Sequence, residues 1–335
     1  MPTSATSSKS ALVVGAGVTG QRIATHLQTS DAFSQVELHA PEHRLLSQSP
    51  RLANGNSNGT PELPEGFDIA VIATPSDTQA KLARAALATG AATVTTTNEI
   101  AETKQLLDSD AEAKYHEAPL IVGAAFMPGY TCLLARLGAS ELTTVDEIHV
   151  AKAGTGGPAC ARQHHRALSS PAIDWRDGRW QRRVGGSGRE LCWFPDPVAG
   201  RDCYRGALPD ALLLVPAFDG VDRVTARMAA TRRDRLTAPL PMLRRPHPEG
   251  GVGAVRVELR GWSNGERRVV VLGACERPAS GAAFTAAATA IYLATHKVDA
   301  GARGLASLTD YKPILSTIAE LGMRPSRFEG VTTSG

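Results

Sequence analysis

The chain has 335 residues, 42% of them hydrophobic and 21% charged, and a formal net charge of +3. That length leaves room for about two domains, and an ordinary globular balance excludes a disordered or fibrous chain. A charge so close to zero gives no pull toward nucleic acid or membrane, and no apolar run approaches the roughly 18–20 residues of a spanning helix.

Residues 1–10 are Ser/Thr-rich without an apolar core, so they read as a tail rather than a signal peptide, and a cytoplasmic protein is expected. Residues 11–15 form a predicted strand that runs straight into Gly15-x-Gly17-x-x-Gly20 and a predicted helix over 18–29, with Ile23, Ala24 and Leu27 on one face. A glycine fingerprint between a strand and a helix is the context in which it binds a dinucleotide. Gly15 serves the tight turn, Gly17 admits a pyrophosphate to the backbone, and Gly20 lets the helix pack on the strand. Ala16, Val18 and Thr19 complete the corner, where unpaired N–H groups of the helix face the phosphates.

Residues 36–40 read as the second strand, and 47–66 as a long Ser/Asn/Gly/Pro loop. In a dinucleotide fold the second strand ends in an acid that binds the ribose hydroxyls. Here that position is Ala40 or Pro41, and Glu42 is followed by His43 and Arg44. Cations in place of the acid suit a 2′-phosphate, hence NADP before NAD. A solvated loop, or a site that holds its nucleotide weakly or not at all, fits the same residues.

Strands at 68–73, 93–97 and 119–123 alternate with helices at 79–88 and 100–117, the pattern of a doubly wound parallel sheet. Ala73-Thr74-Pro75, Asn98-Glu99 and Phe126-Met127 follow three of these strands and are expected to line the crevice at their carboxyl ends.

Val14–Gly20, Val71–Pro75 and Gly123-Ala-Ala-Phe-Met-Pro-Gly129 together resemble the saccharopine dehydrogenase-like oxidoreductases, the last segment with Ala125 in place of a glycine. The similarity covers roughly residues 10–155. It implies a Rossmann domain joined to an α+β domain that carries substrate and dimer contacts, and NAD(P) chemistry on an amino acid or its imine.

The second half changes character. A strand at 145–153 ends in Gly154–Gly157, a helix follows at 160–170, and 171–205 has weak periodicity. A strand at 221–230 precedes a hairpin, 254–262 with 267–274, around Asn264-Gly265. Helices are expected at 281–297 and 309–321. On the 160–170 helix, Arg162 and Arg166 at i,i+4 suit a substrate carboxylate. His164, His165 or Lys152 is the candidate proton carrier, and two solvated or structural histidines are the alternative. Trp193 and Phe194 sit in a long aromatic stretch, 185–205, that reads either as a binding loop or as plugs of a small core. Arg189 and Tyr204 in and near it are candidate substrate contacts. Cys160 and His164 at i,i+4 lack further ligands, so no metal is expected. The five cysteines are odd in number, with no CxxC, and fit reduced thiols.

The expected architecture is α/β: a tail over 1–10, a Rossmann doubly wound parallel sheet over 11–130, and an α+β domain of mainly antiparallel sheet over 131–304. Helices within 305–330 return to the first domain. The expected protein is a homodimeric NAD(P)-dependent oxidoreductase of a small molecule. A nucleotide-binding sensor and a non-redox enzyme on the same scaffold are the other readings.

Overall fold

A computed structural model describes residues 8–40, 63–242 and 245–328. His43 and Arg44 lie outside them. The first half runs β1 (Lys9–Val14), α1 (Val18–Gln28), β2 (Phe33–His39), β3 (Ile69–Ile72), α2 (Gln79–Ala88), β4 (Ala92–Thr95), α3 (Ile100–Leu107), α4 (Asp110–Tyr115), β5 (Pro119–Val122) and α5 (Tyr130–Ala139). The second half begins with β6 (Thr144–Ala153), α6 (Pro158–Ser169), β7 (Ala172–Arg176), β8 (Arg179–Arg183), β9 (Glu190–Trp193), β10 (Gly200–Arg205), α7 (Asp210–Leu214) and β11 (Arg223–Ala229). It ends with α8 (Arg232–Thr237), β12 (Gly253–Ser263), β13 (Glu266–Glu276), α9 (Pro278–Thr295), β14 (Gly301–Gly304), α10 (Lys312–Glu320) and the short β15 (Ser326–Arg327).

The first sheet has six strands in the order β14-β5-β4-β3-β1-β2, and every pairing is parallel. Its central strand Ile69-Ala-Val-Ile72 is buried throughout, as a parallel strand covered on both faces must be. Side chains alternate between the two layers. Leu12, Val14, Ala70 and Ile72 pack with Leu82 and Ala86 of α2, while Ala11, Val13 and Val71 share a cluster with Ile23, Ala24 and Leu27 of α1.

The single helix expected over 100–117 is two. Asp108 and Ser109 break it, and the Ser109 hydroxyl donates back to the Gln105 carbonyl at 3.0 Å, competing with the backbone ladder. The expected division at residue 304 also meets a correction. Gly301–Gly304 pairs in parallel with β5 as the sixth strand of the first sheet, and α9 packs on α1, β3 and β4. α10 then packs on α9.

The second sheet orders its main strands β15-β13-β12-β6-β11-β10-β9, with β7 on β11 and β8 on β7. β6 and β11 are parallel and the other pairings antiparallel. Asn264 and Gly265 take φ of 53° and 80° in the β12–β13 turn, the left-handed pair a two-residue hairpin needs. The stretch 171–205 is four strands rather than an irregular loop. Asp177 and Gly178 turn β7 into β8 with φ of 50° and 71°. Phe194 is 2% exposed in a small core with Cys192, Cys203, Ala151 and Ala254, whereas Trp193 is 59% exposed. Of the two aromatics, one plugs a core and the other faces solvent.

Candidate active site

At the carboxyl edge of the first sheet, the three glycines of the β1–α1 corner have distinct physical roles. Gly15 takes φ of 122°, and a Cβ there would lie 2.6 Å from the Ala73 carbonyl oxygen. A Cβ on Gly20 would overlap the Gly15 carbonyl oxygen, so its absence is what lets α1 sit on the strand. Gly17 is different. Its φ of −77° and ψ of 178° suit any residue, and nothing lies within 4 Å of a Cβ built on it. The corner keeps this position small although the chain itself does not need it small. Gly17 is the N-cap of α1, which has no side-chain cap and no acid in its first turn. Its positive end thus carries no carboxylate from its own first turn.

The next corner is closed. Glu102, 3% exposed, turns back from α3 onto the start of α2. Its Oε1 accepts from the backbone N–H of Asp77, Gln79 and Ala80 at 3.0, 2.8 and 3.3 Å, and its Oε2 accepts from the Thr97 hydroxyl at 2.7 Å. Burial raises the Glu102 carboxyl above its usual range, against these four donors, which pull it down. Gln79 ties the neighbouring strand ends together. Its amide donates to the Thr74 carbonyl at 2.7 Å, and its oxygen accepts from Thr96 N–H at 3.0 Å. The N-terminus of α2 is thus occupied by a protein carboxylate, whereas that of α1 has no side-chain cap and no acid in its first turn.

Ala73, Thr74 and Pro75 form the wall beside Gly15, with Ala73 N–H donating to the Val14 carbonyl at 2.8 Å. The second half of the chain reaches this edge through α6. Gly157, its N-cap, stands opposite α1, where a Cβ would be 4.0 Å from Val18. Farther along, the Gln163 amide donates to the Asn98 carbonyl at 2.8 Å. Arg22 of α1 reaches Glu249 at 3.1 Å and Ser280 at 3.0 Å, and Arg277 reaches the same Glu249 at 3.2 Å. Phe126 and Met127, after β5, are 4% and 3% exposed, and Phe126 packs where a side chain on Gly281 would clash.

The proton-carrier candidates separate. His164 and His165 are adjacent but reach different backbone carbonyls. The His165 Nε2 lies 2.8 Å from the Leu240 oxygen, on the α8 side. The His164 Nε2 donates to the Ala229 oxygen at 3.2 Å, which fixes Nδ1 as the bare, buried acceptor. Burial, and then the Lys152 charge, push His164 down to about 3. It is neutral at physiological pH and cannot act there as a base of ordinary histidine strength. Lys152 is 8% exposed, on the helix-covered face of the second sheet. Sequence reasoning missed Asp210, which begins α7, is wholly buried, and accepts from the Thr131 hydroxyl at 2.8 Å through Oδ1. Burial pushes its carboxyl up to about 6, with Thr131 and Lys152 opposing.

Of the four candidate substrate contacts, two come together. Arg189 and Tyr204 line a cavity of about 380 Å³ with Arg232, Arg235 and Leu236. Arg189 pairs with Asp202 at 2.9 Å, and the Arg235 guanidinium lies 4.4 Å from the Tyr204 ring centre. Arg162 and Arg166 are exposed on α6 and do not join that lining. Among the described residues, no three His, Cys, Asp or Glu side chains group to hold a metal ion, and no helix is long and apolar enough to cross a membrane.

No protein-family model matches the chain, and no curated protein matches it. Solved structures do. Saccharopine dehydrogenase (L-Glu forming) from Saccharomyces cerevisiae is 12% identical with a TM-score of 0.64, over 96% of this chain and 100% of that one. A meso-dapdh mutant from Clostridium tetani is 13% identical at a TM-score of 0.47, over 91% and 95% of the two chains. Amine dehydrogenase from Mycobacterium smegmatis is 13% identical at 0.47, over 88% and 94%. The first of these carries the assignment, since its alignment takes in both sheets: this chain has the saccharopine dehydrogenase-like fold, a parallel α/β layer joined to a mixed-sheet layer, as the motifs of its first half predict.

Proposed function

We propose that this protein is an NAD(P)-dependent oxidoreductase acting on a small molecule of the amino-acid, imine or keto-acid type. The observation that supports it above the others is the β1–α1 corner. Gly17 leaves open space where a side chain would be harmless to the fold, in front of a helix N-terminus with no side-chain cap. A positive helix end without a side-chain cap suits a pyrophosphate, so the residues present fit a dinucleotide. When bound, the nicotinamide supplies the hydride chemistry.

The chain's own residues do the rest. Gly15–Gly20 hold the phosphates, Ala73–Pro75 and Asn98 wall the crevice, and Glu102 keeps the adjacent helix end from competing. Lys152 moves the proton, because His164 is held neutral and His165 is tied to a carbonyl. Arg189 and Tyr204, with Arg232 and Arg235, receive an anionic group of the substrate. Ala40 at the end of β2, with no acid, favours NADP over NAD. The resemblance of the first half adds a homodimer, which light scattering checks.

Fluorescence titration with NADPH and NADH tests this reading. Saturable binding with NADPH preferred is expected, and no binding of either at millimolar cofactor removes the proposal. A second reading, a nucleotide sensor without turnover, draws on Ala40 at the end of β2 and on the lack of a single unambiguous proton donor among His164, His165 and Lys152. Tight binding without NADPH oxidation across a panel of keto acids, with and without ammonia, would favour it.

A further inference from the structure

The strand order gives the carboxyl edge of the first sheet a direction. Four of its strands stand in the order β4-β3-β1-β2, and the adenosine end of a dinucleotide belongs over β2. With the phosphates at the α1 corner, the other half of such a molecule extends past β3 toward β4, two strand spacings or about 10 Å from β1. Asn98 follows β4 at that place. Gln163 of α6 meets it from the second half of the chain, with its amide nitrogen 2.8 Å from the Asn98 carbonyl oxygen.

Each of these two side chains uses only half of its amide. A backbone carbonyl can only accept, so the end of Gln163 that meets Asn98 is its nitrogen, and Oε1 is left over. Asn98 accepts from the Ser76 hydroxyl at 3.3 Å through Oδ1, which leaves its Nδ2. Neither Gln163 Oε1 nor Asn98 Nδ2 has a hydrogen-bond partner among the described residues, and neither is sealed in the interior. Two residues joined by one hydrogen bond thus offer a free acceptor and a free N–H donor. The complement of that pair is a primary carboxamide, whose nitrogen donates and whose oxygen accepts. A carboxylate or a ketone matches only the donor, and an ammonium only the acceptor.

We propose that Gln163 and Asn98 together recognise the carboxamide of a nicotinamide, with Gln163 Oε1 accepting from its N–H and Asn98 Nδ2 donating to its oxygen. The inference rests on the dinucleotide reading and adds to it the residues that orient the ring-bearing end. Both act by binding alone, and no bond forms or breaks at either. Asn98 belongs to the first sheet's edge and Gln163 to the second half, so the carboxamide is held across the boundary between the two. Gln163 stands between Arg162 and His164 on α6. An uncharged side chain at that point gives the sequence no mark of such a role.

Isothermal titration calorimetry with three ligands tests it. They are NADP+ or NAD+, whichever binds tighter, its acetylpyridine analogue, in which a methyl group replaces the amide nitrogen, and the matching ADP-ribose, which has no pyridine ring. Wild type should prefer the natural dinucleotide over the analogue by about five- to tenfold, the worth of one hydrogen bond. Gln163→Leu removes the acceptor and should abolish that preference while leaving ADP-ribose binding unchanged. Gln163→Lys keeps a donor for the Asn98 carbonyl but has no acceptor, and should abolish it too, whatever its charge does to overall affinity. Asn98→Ala should weaken both dinucleotides alike, about five- to tenfold, because both keep the ring-borne oxygen. A folded Gln163 variant that retains the wild-type preference overturns the inference, as does a wild type that binds dinucleotide and analogue equally. A wild type that binds none of the three removes the dinucleotide reading itself, and the inference with it, so the two failures are told apart.

Discussion

Substituting Gly17 by aspartate separates a glycine kept for a ligand from one kept for the fold. The backbone at Gly17 is extended, and a Cβ there meets nothing within 4 Å, so the side chain enters without strain. Aspartate is a favoured N-cap, and α1 has neither a side-chain cap nor an acid in its first turn. The gain over glycine is a few tenths of a kcal/mol from capping and about 0.3–1 kcal/mol from the helix dipole. G17D should therefore melt about 1–3 °C above wild type. The same carboxylate stands where the pyrophosphate docks. At about 5 Å and an effective dielectric near 20, each phosphate charge is repelled by about 3 kcal/mol, a loss of about a hundredfold or more in affinity. Differential scanning fluorimetry and NADPH fluorescence titration read the two effects on one preparation. A stabilised G17D protein that binds NADPH within about threefold of wild type would falsify the assignment of the corner. A destabilised one contradicts the account of an uncapped helix.

Gly20→Ala should do the reverse, because its Cβ would collide with the Gly15 carbonyl rather than with open space. The expected outcome is a loss of several kcal/mol in urea unfolding or insoluble expression. Glu102→Ala strips acceptors from Asp77, Gln79 and Ala80 and should cost about 2–4 kcal/mol, whereas Glu102→Gln retains an oxygen for them and loses less than half of that; equal losses in urea melts would remove the capping role. Asp210 gives a pH-dependent stability. Burial holds its carboxyl at about 6 in the folded chain, above the ordinary aspartate value of about 3.9, so its contribution is fully present below about pH 4 and is lost as pH rises through 6. Asp210→Asn should accordingly be more stable than wild type at pH 8, by about 2–3 kcal/mol, with the difference vanishing near pH 4. A stability difference independent of pH would refute the raised carboxyl.

The first sheet was largely readable because its signals are local. A β-branched run, a glycine fingerprint and an amphipathic turn lie within twenty residues of one another, and each strand of the βαβ series is bounded by its own turn. β14 carried no such signal. Gly301-Ala-Arg-Gly304 has no strand propensity and is held by pairing with β5 and by Ala302 N–H donating to Asp110 at 2.9 Å. The Asp177-Gly178 turn was present in the sequence as a hairpin mark, but the arginine-rich strands around it lack alternation. Glu102 and Asp210 were unreadable for another reason. Their roles come from burial against elements distant in sequence, and no spacing rule shows it. The two histidines part company because neighbours on a helix face different sides: His164 is held by the Ala229 carbonyl and His165 by that of Leu240, partners that no spacing on α6 shows.

Completion of the first sheet by β14 and α9 has a consequence for how the chain can be divided. A fragment ending near residue 143 would leave the β5 edge open and strip the cover from the α1 face carrying Ile23 and Leu27. Such a fragment is an aggregation-prone half rather than an autonomous nucleotide binder. The amino-terminal half therefore matures only after the ribosome has delivered residues beyond 304, and a split version of the protein would have to receive 278–320 as a separate peptide.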